Sequence, residues 1–282
     1  MTDLTDRQIA RNRETHDQPS FASHRDRVMQ LIAAAASRLR RRQPDQLPTI
    51  TVLGAGNCQD LDLPALTTGF REVRLIDIDA AAVRQAVSQF QNPVTSRIRI
   101  LTPIDLAAPL MSLGRHELDD REPDLSILQA IESSSLPEEL PTSDVVVSTC
   151  LLSQLIDSAS QVVRPESANF LPLIQAVRRG HLARMLQLTA ASGRASLITD
   201  LVSSDTVPEL KTTSPNDLPG LLHQCIQSGN FFSGLNPAVV QHDLQHLPAL
   251  VELCASCRTS PPWRWTLGPR CFAVYAVEMV RC

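Results

Sequence analysis

The sequence predicts an α/β fold: a doubly wound, seven-stranded sheet with a C-terminal antiparallel β-hairpin. Three observations carry the prediction. Short apolar runs alternate with helical patterns along the chain. The run Val145-Val146-Val147 is continuously apolar, as expected of a strand covered on both faces. Near the end, Gly268-Pro269 separates two strand-like runs, Trp263–Leu267 and Cys271–Val280.

The elements follow in order. Residues 1–22 form a polar N-terminal segment, and 23–282 are expected to form a single domain with excursions at 106–140 and 203–247. Ser23 is a candidate cap for a helix from about His24 to Arg42, with Val28, Leu31, Ile32, Ala35 and Leu39 on one face. Ile50–Leu53 is the first strand, and Asp60–Thr68 a helix that tolerates Pro64 only in its first turn. Val73–Ile78 is the second strand, Ala80–Phe90 a helix and Arg97–Leu101 the third strand. A helix is expected around Leu125–Ile131, and Asp144–Thr149 is the fourth strand. Phe170–Ala191 is a long helix ended by Gly193, before a fifth strand at Ala195–Leu201. Residues 203–247 read as irregular, and Pro248–Cys254 as a short helix.

Composition bounds the function. The chain has 282 residues, 43% hydrophobic, with a formal net charge of −4. No apolar run approaches the roughly 20 residues of a membrane helix, and Met1–Thr15 has no apolar core of a secretory signal. A cytoplasmic location and no membrane partner are therefore expected. The seven cysteines lack a framework spacing, which points to reduced thiols. Cys254-Ala255-Ser256-Cys257 is a single CxxC with no second pair, short of the four ligands of structural zinc, so no metal is expected. Arg38-Leu39-Arg40-Arg41-Arg42 is a dense basic cluster at a predicted helix end, where cations complement exposed carbonyls. The acidic balance of the whole chain argues against nucleic acid as a partner.

The chemistry centres on Thr49-Ile50-Thr51-Val52-Leu53-Gly54-Ala55-Gly56-Asn57, followed by Leu75-Ile76-Asp77-Ile78-Asp79. This is a strand, a glycine turn, a helix and a second strand ending in an acid. Without Cβ atoms, Gly54 and Gly56 let the backbone turn sharply and approach a ligand. A carboxylate at Asp77 can accept hydrogen bonds from both hydroxyls of a ribose. Dinucleotide binding wants a third glycine where this chain has Gln59, and Asp60 and Asp62 at the helix start would repel phosphates. S-adenosylmethionine carries no phosphate and has a cationic sulfonium, so it suits these acids better than NAD.

With these residues in view, the chain resembles the class I S-adenosylmethionine-dependent methyltransferases, a Rossmann-like family, over roughly residues 24–282. The likeness is carried by Val52-Leu53-Gly54-Ala55-Gly56, Asp77-Ile78-Asp79, Ile104-Asp105-Leu106, Asp144–Leu152 and the closing Trp263–Val280 hairpin. The resemblance implies that Gly54, Ala55 and Gly56 lie under the methionine moiety and that Asp77 holds the ribose. It implies Ile78 against adenine, Asp105 and Leu106 at the adenine amino edge, and Ser148 beside the methyl-transfer site. The chain departs from the family at Val52, where an acid is common, and at Cys58, where a third glycine is common.

The methyl acceptor expected is a small molecule. No catalytic residue is assigned: displacement at a sulfonium can rest on alignment, with a base only where the acceptor must lose a proton. His24 is a candidate base, His181 reads as structural, and His223, His242 and His246 read as surface residues. Cys150 reads as a core thiol. Gly229–Pro237, with Phe231 and Phe232, is either a loop anchor or an apolar wall of the acceptor pocket. Two other functions stay open: a non-catalytic protein on this fold, and an NAD-dependent oxidoreductase.

Overall fold

The computed structural model describes residues 21–106, 110, 113, 114, 117–119, 124–133 and 140–282. Strands are β1 (Thr49–Leu53), β2 (Glu72–Ile76), β3 (Ile98–Leu101), β4 (Ser143–Thr149), β5 (Thr189–Ser203), β6 (Cys254–Thr259), β7 (Trp263–Leu267) and β8 (Arg270–Arg281). They form one sheet in the order β3-β2-β1-β4-β5-β8-β6, with β7 also paired to β8. Neighbouring pairs from β3 to β5 are parallel, and β8 is antiparallel to both of its neighbours. Helices are α1 (Phe21–Arg40), α2 (Leu63–Gly69), α3 (Ala80–Ser88), α4 (Leu125–Ser133), α5 (Leu151–Val162), α6 (Phe170–Leu188), α7 (Leu218–Gln227), α8 (Pro237–His246) and α9 (Pro248–Val251). No described helix is long and apolar enough to cross a membrane.

Every residue of β1 is buried, because helices cover both faces of the sheet. Alternation along the strands divides the core in two. Val52, Val73, Leu75, Val145 and Val147 pack with Val28, Ile32 and Val83 of α1 and α3 on one face. Leu53, Ile76, Val146 and Leu197 pack with α5 and α6 on the other. Phe232 packs against both clusters, beyond the strand ends.

The two outer strands share one role. β6 pairs with Val277–Arg281 of β8 and β7 with Arg270–Val274, so they line the same edge end to end. Ser260-Pro261-Pro262 interrupts them, since proline has no N–H for the ladder. Ser260 closes the break, its N–H donating to Ala276 O and its Oγ accepting from the Ala276 N–H. The eight strands therefore occupy seven positions.

Several expectations need correction. The first helix starts at Phe21, so Ser23 lies inside it and does not cap it. The helix expected from Asp60 starts at Leu63, capped by Asp62, which accepts from the Ala65 N–H and places Pro64 in the first turn as required. The long helix ends at Leu188, and β5 begins at Thr189 and runs through Gly193. A Cβ on Gly193 would meet Ala190 O, Thr189 Cγ2 and Asp144 O, so glycine there serves strand packing. Residues 151–162 form a helix directly after β4, where no helix was expected. The excursion at 203–247 holds α7 and α8, each with proline in its first turn. Residues 254–259 form a strand, whereas a helix was expected to reach Cys254. Much of the expected 106–140 excursion and nearly all of the N-terminal segment fall outside the described residues.

Candidate functional site

β1 connects outward to β2 on one side, while β4 connects to β5 on the other. The carboxyl ends of β1 and β4 are thus the switch point at which open α/β sheets hold ligands. Gly54 and Gly56 turn here with φ of 75° and 46°. The Gly54 and Ala55 N–H groups donate to Ile76 O, and Thr149 Oγ1 donates to Gly54 O. The turn is thereby tied to both flanking strands.

Asp77 follows β2 and is 8% exposed. Its Oδ2 accepts from the Gly56 N–H at 2.8 Å and its Oδ1 from the Asp79 N–H at 2.8 Å. Burial raises its proton affinity, and the Asp79 and Gly56 amides oppose that. Asp79 caps α3, its Oδ1 accepting from the Ala81 and Ala82 N–H groups. The Asp77 carbonyl accepts from the Ile104 N–H at 2.9 Å, which draws the loop after β3 alongside. Ile78 and Asp105 are half-buried, and Leu106 is buried. Gly54, Ala55, Gly56, Asp77, Ile78, Asp105 and Leu106 therefore gather along the carboxyl ends of β1, β2 and β3.

Ser148 stands beside Leu53 at the carboxyl end of β4, but its side chain turns to the other face of the sheet. It is fully buried on the α6 side of the sheet, with Oγ 2.8 Å from His181 Nε2. Burial and the charge of Arg184 push His181 down from 6.5 to about 3. The sign of the linkage follows. Below about pH 6.5 the unfolded chain takes up a proton that native His181 refuses until about pH 3, so stability falls as pH drops through this window. The loss expected by pH 5 is about 2 kcal/mol. Urea midpoints at pH 7 and pH 5 should show it, and His181→Gln should flatten the dependence. An unchanged slope in that variant would refute the assignment.

Gly54 is required by packing as well as by its φ. A Cβ there would lie 2.9 Å from Leu151 Cβ and 3.4 Å from Thr149 O. Gly54→Ala is expected to cost about 2–3 kcal/mol, from left-handed strain plus the collision. In thermal melts, Gly54→Ala added to Leu151→Gly, which removes the colliding Cβ, should cost only the strain part.

A second group stands beside the turn, of which the sequence singled out His24 as a candidate base but not its partners. His24 on α1 is fully buried, stacked on Trp265 with centroids 4.4 Å apart. Trp263 Nε1–H donates to His24 Nδ1 at 3.1 Å, which places the neutral imidazole's proton on Nε2. That nitrogen faces Asp60 Oδ1 at 3.6 Å, and neither atom has a hydrogen-bond partner. Burial lowers the proton affinity of His24 and raises that of Asp60, each partly offset by the other. Arg25 braces the segment through Nε–H to Gln59 O at 2.7 Å. Cys58, in the left-handed region at φ 56°, is pushed up to about 12 by burial, with Asp77 and Asp60 adding to it. Across the turn, Ser153 Oγ donates to Asp200 Oδ1 at 2.6 Å, and Cys150 is a buried thiol at φ 49°.

Besides His24 Nε2–H, the polar atoms left over around the turn are acceptors. Asp60 Oδ1, Asp79 Oδ2 and Gln59 Oε1 are buried without hydrogen-bond partners. Such a set suits hydroxyl, ammonium or sulfonium groups and opposes phosphate. The aromatic segment is an anchor: the Phe232 N–H donates to Leu201 O, and Arg178 and Tyr275 hold Gly234 O and Leu235 O.

No protein-family profile matches the chain, and no curated protein does. Solved structures do match. A candidate RNA methyltransferase from Pyrococcus horikoshii aligns with 89% of this chain and 83% of its own, at 12% identity and a TM-score of 0.42. A candidate methyltransferase from Bacillus halodurans aligns with 92% of this chain and 99% of its own, at 7% identity and a TM-score of 0.44. An O-methyltransferase family protein from Burkholderia thailandensis aligns with 89% of this chain and 58% of its own, at 14% identity and a TM-score of 0.36. The sheet order, with one antiparallel strand inserted between β5 and the edge, is that of a Rossmann-like, doubly wound α/β fold closed by an antiparallel hairpin.

Proposed function

We propose that the chain is an S-adenosylmethionine-dependent methyltransferase acting on a small-molecule acceptor. One observation carries this reading: the glycine turn at the switch point is floored by Asp77 and ringed by unpartnered carboxylate and amide oxygens. Gly54, Ala55 and Gly56 would hold the methionine moiety, Asp77 the ribose, and Ile78, Asp105 and Leu106 the adenine. When bound, S-adenosylmethionine supplies an electrophilic methyl group. The protein's part is to hold donor and acceptor in line and to keep water out. Ser148, engaged by His181, would act by setting the end of β4 rather than by touching the methyl group.

A second reading has its own support. Leu151 fills the space over Gly54, and both oxygens of Asp77 are already taken by backbone amides. A protein on this fold that has given up the cofactor would look the same. Calorimetric titration with S-adenosylmethionine, S-adenosylhomocysteine and NAD separates the readings. Binding of the two sulfur nucleosides but not NAD is the expected result. Binding of neither sulfur nucleoside would leave the non-catalytic reading.

A further inference from the structure

A second candidate site lies on the α1 face at the other end of the sheet. Arg194 pairs with Val145 near the start of β4, whereas the glycine turn sits beyond the strands' carboxyl ends. Register builds the site from three strands. Ser196 of β5, Glu278 of β8 and Arg258 of β6 form one rung, and Arg194, Val280 and Ser256 form the next. Residues two apart share a face, so all six side chains project to one side. The last turns of α1 lie over them, and Ala35 and Arg38 complete a cleft of about 300 Å³.

Its charge is unbalanced. Glu278 receives Arg38 Nη1 at 3.3 Å and Arg258 Nη2 at 2.9 Å. Arg194 Nε is buried and has no hydrogen-bond partner. Arg42 is close enough to act on Arg194 electrostatically, as Arg38 and Arg258 do. Three guanidiniums of the lining, Arg38, Arg194 and Arg258, thus face one carboxylate, an excess of two positive charges around one concavity. Burial and these like charges lower the proton affinity of Arg194. Arginine clusters of this kind are costly unless an anion shares them.

We propose that this cleft binds a phosphate group. A dianion offsets the excess better than a carboxylate, its oxygens suit forked guanidinium donors, and the Ser196 and Ser256 hydroxyls line the same wall. The phosphate could belong to a small phosphorylated molecule or to a nucleic-acid backbone. Either source uses the same donors. The site is independent of the glycine turn, so it stands whether or not a sulfur nucleoside binds there.

Titration calorimetry of the full chain with inorganic phosphate, in a low-chloride buffer, tests the proposal. Saturable binding is expected in the parent protein, weakened at least about tenfold by Arg194→Met and by Arg258→Gln, since each removes a charge-assisted donor. Glu278→Gln removes the competing carboxylate and should tighten binding, an opposite sign that damage to the fold would not produce. A short single-stranded RNA lacking terminal phosphates distinguishes the sources. Binding that needs Arg194 assigns the site to a backbone, and failure to displace phosphate assigns it to a small molecule. No phosphate binding by the parent protein, or equal binding by Arg194→Met in a variant with a native melting profile, overturns the proposal.

Discussion

Replacing Asp77 by alanine is expected to weaken S-adenosylmethionine binding about 100-fold or more. On the proposed reading the carboxylate accepts from both ribose hydroxyls, and hydrogen bonds to a charged group contribute about 1.5–3 kcal/mol each. The same substitution strips the Gly56 and Asp79 N–H groups of their acceptor, so the glycine turn loses its brace to β2. Asp77→Asn separates the two effects. Its side-chain carbonyl can keep one backbone amide but cannot serve both, and its NH₂ cannot accept from a hydroxyl. Calorimetry should therefore show both variants binding poorly, with alanine also lowering the melting temperature. Affinity within threefold of the parent in Asp77→Ala would sink the ribose assignment.

The largest effect on stability is expected at Arg178. Its Nε and Nη2 donate to Asp243 Oδ2 at 2.9 and 2.6 Å, and its Nη1 donates to Gly234 O at 3.1 Å. Both side chains are almost wholly buried, at 2% and 3% exposure. Arg178→Met leaves a buried carboxylate with the more distant Arg179 guanidinium, 3.6 Å from Oδ2, as its ion-pair partner among the described residues. Breaking a buried pair in this way costs about 3–5 kcal/mol, a fall in melting temperature of about 10 °C for a chain of this size. Joining α6 to α8, the pair also pins the Gly229–Pro237 segment, which should become sensitive to protease. Arg178→Met with Asp243→Leu should regain most of the loss, because two apolar groups leave no stranded charge. If the single variant melts within 2 °C of the parent, the pair is not the anchor described here.

What the sequence disclosed follows from the range of the forces involved. β1 and β4 were legible because strands covered on both faces need unbroken apolar runs, which Val145-Val146-Val147 supplies. Asp77 was legible because an acid at the end of such a strand is a local pattern. Helix α5 was not read, although Leu151, Leu152, Leu155, Ile156 and Ala159 lie at helical spacing. It starts one residue after β4, through the left-handed Cys150, with no capping side chain to announce it. Strand β6 was missed because Cys254–Thr259 is half polar, lacks β-branched aliphatic or aromatic residues and alternates poorly. The His24–Trp263 bond spans 239 positions, and no periodicity records it. Arg38 read as a helix-end cation. Only the register of β5, β8 and β6 shows what it faces.

The broken outer rank of the sheet bears on how this chain behaves in a crowded solution. An edge strand is a template on which a foreign segment can grow, and long, flat edges seed fibres and swapped dimers. Here the exposed rank is cut into pieces of six and five residues by Ser260-Pro261-Pro262. A visiting strand would lose its register at the two prolines, before it could gain enough ladder bonds to stay. The interruption thus guards the native chain against self-templated assembly along this rank. Restoring it with Pro261→Thr and Pro262→Val would lengthen the template and shift the balance toward association.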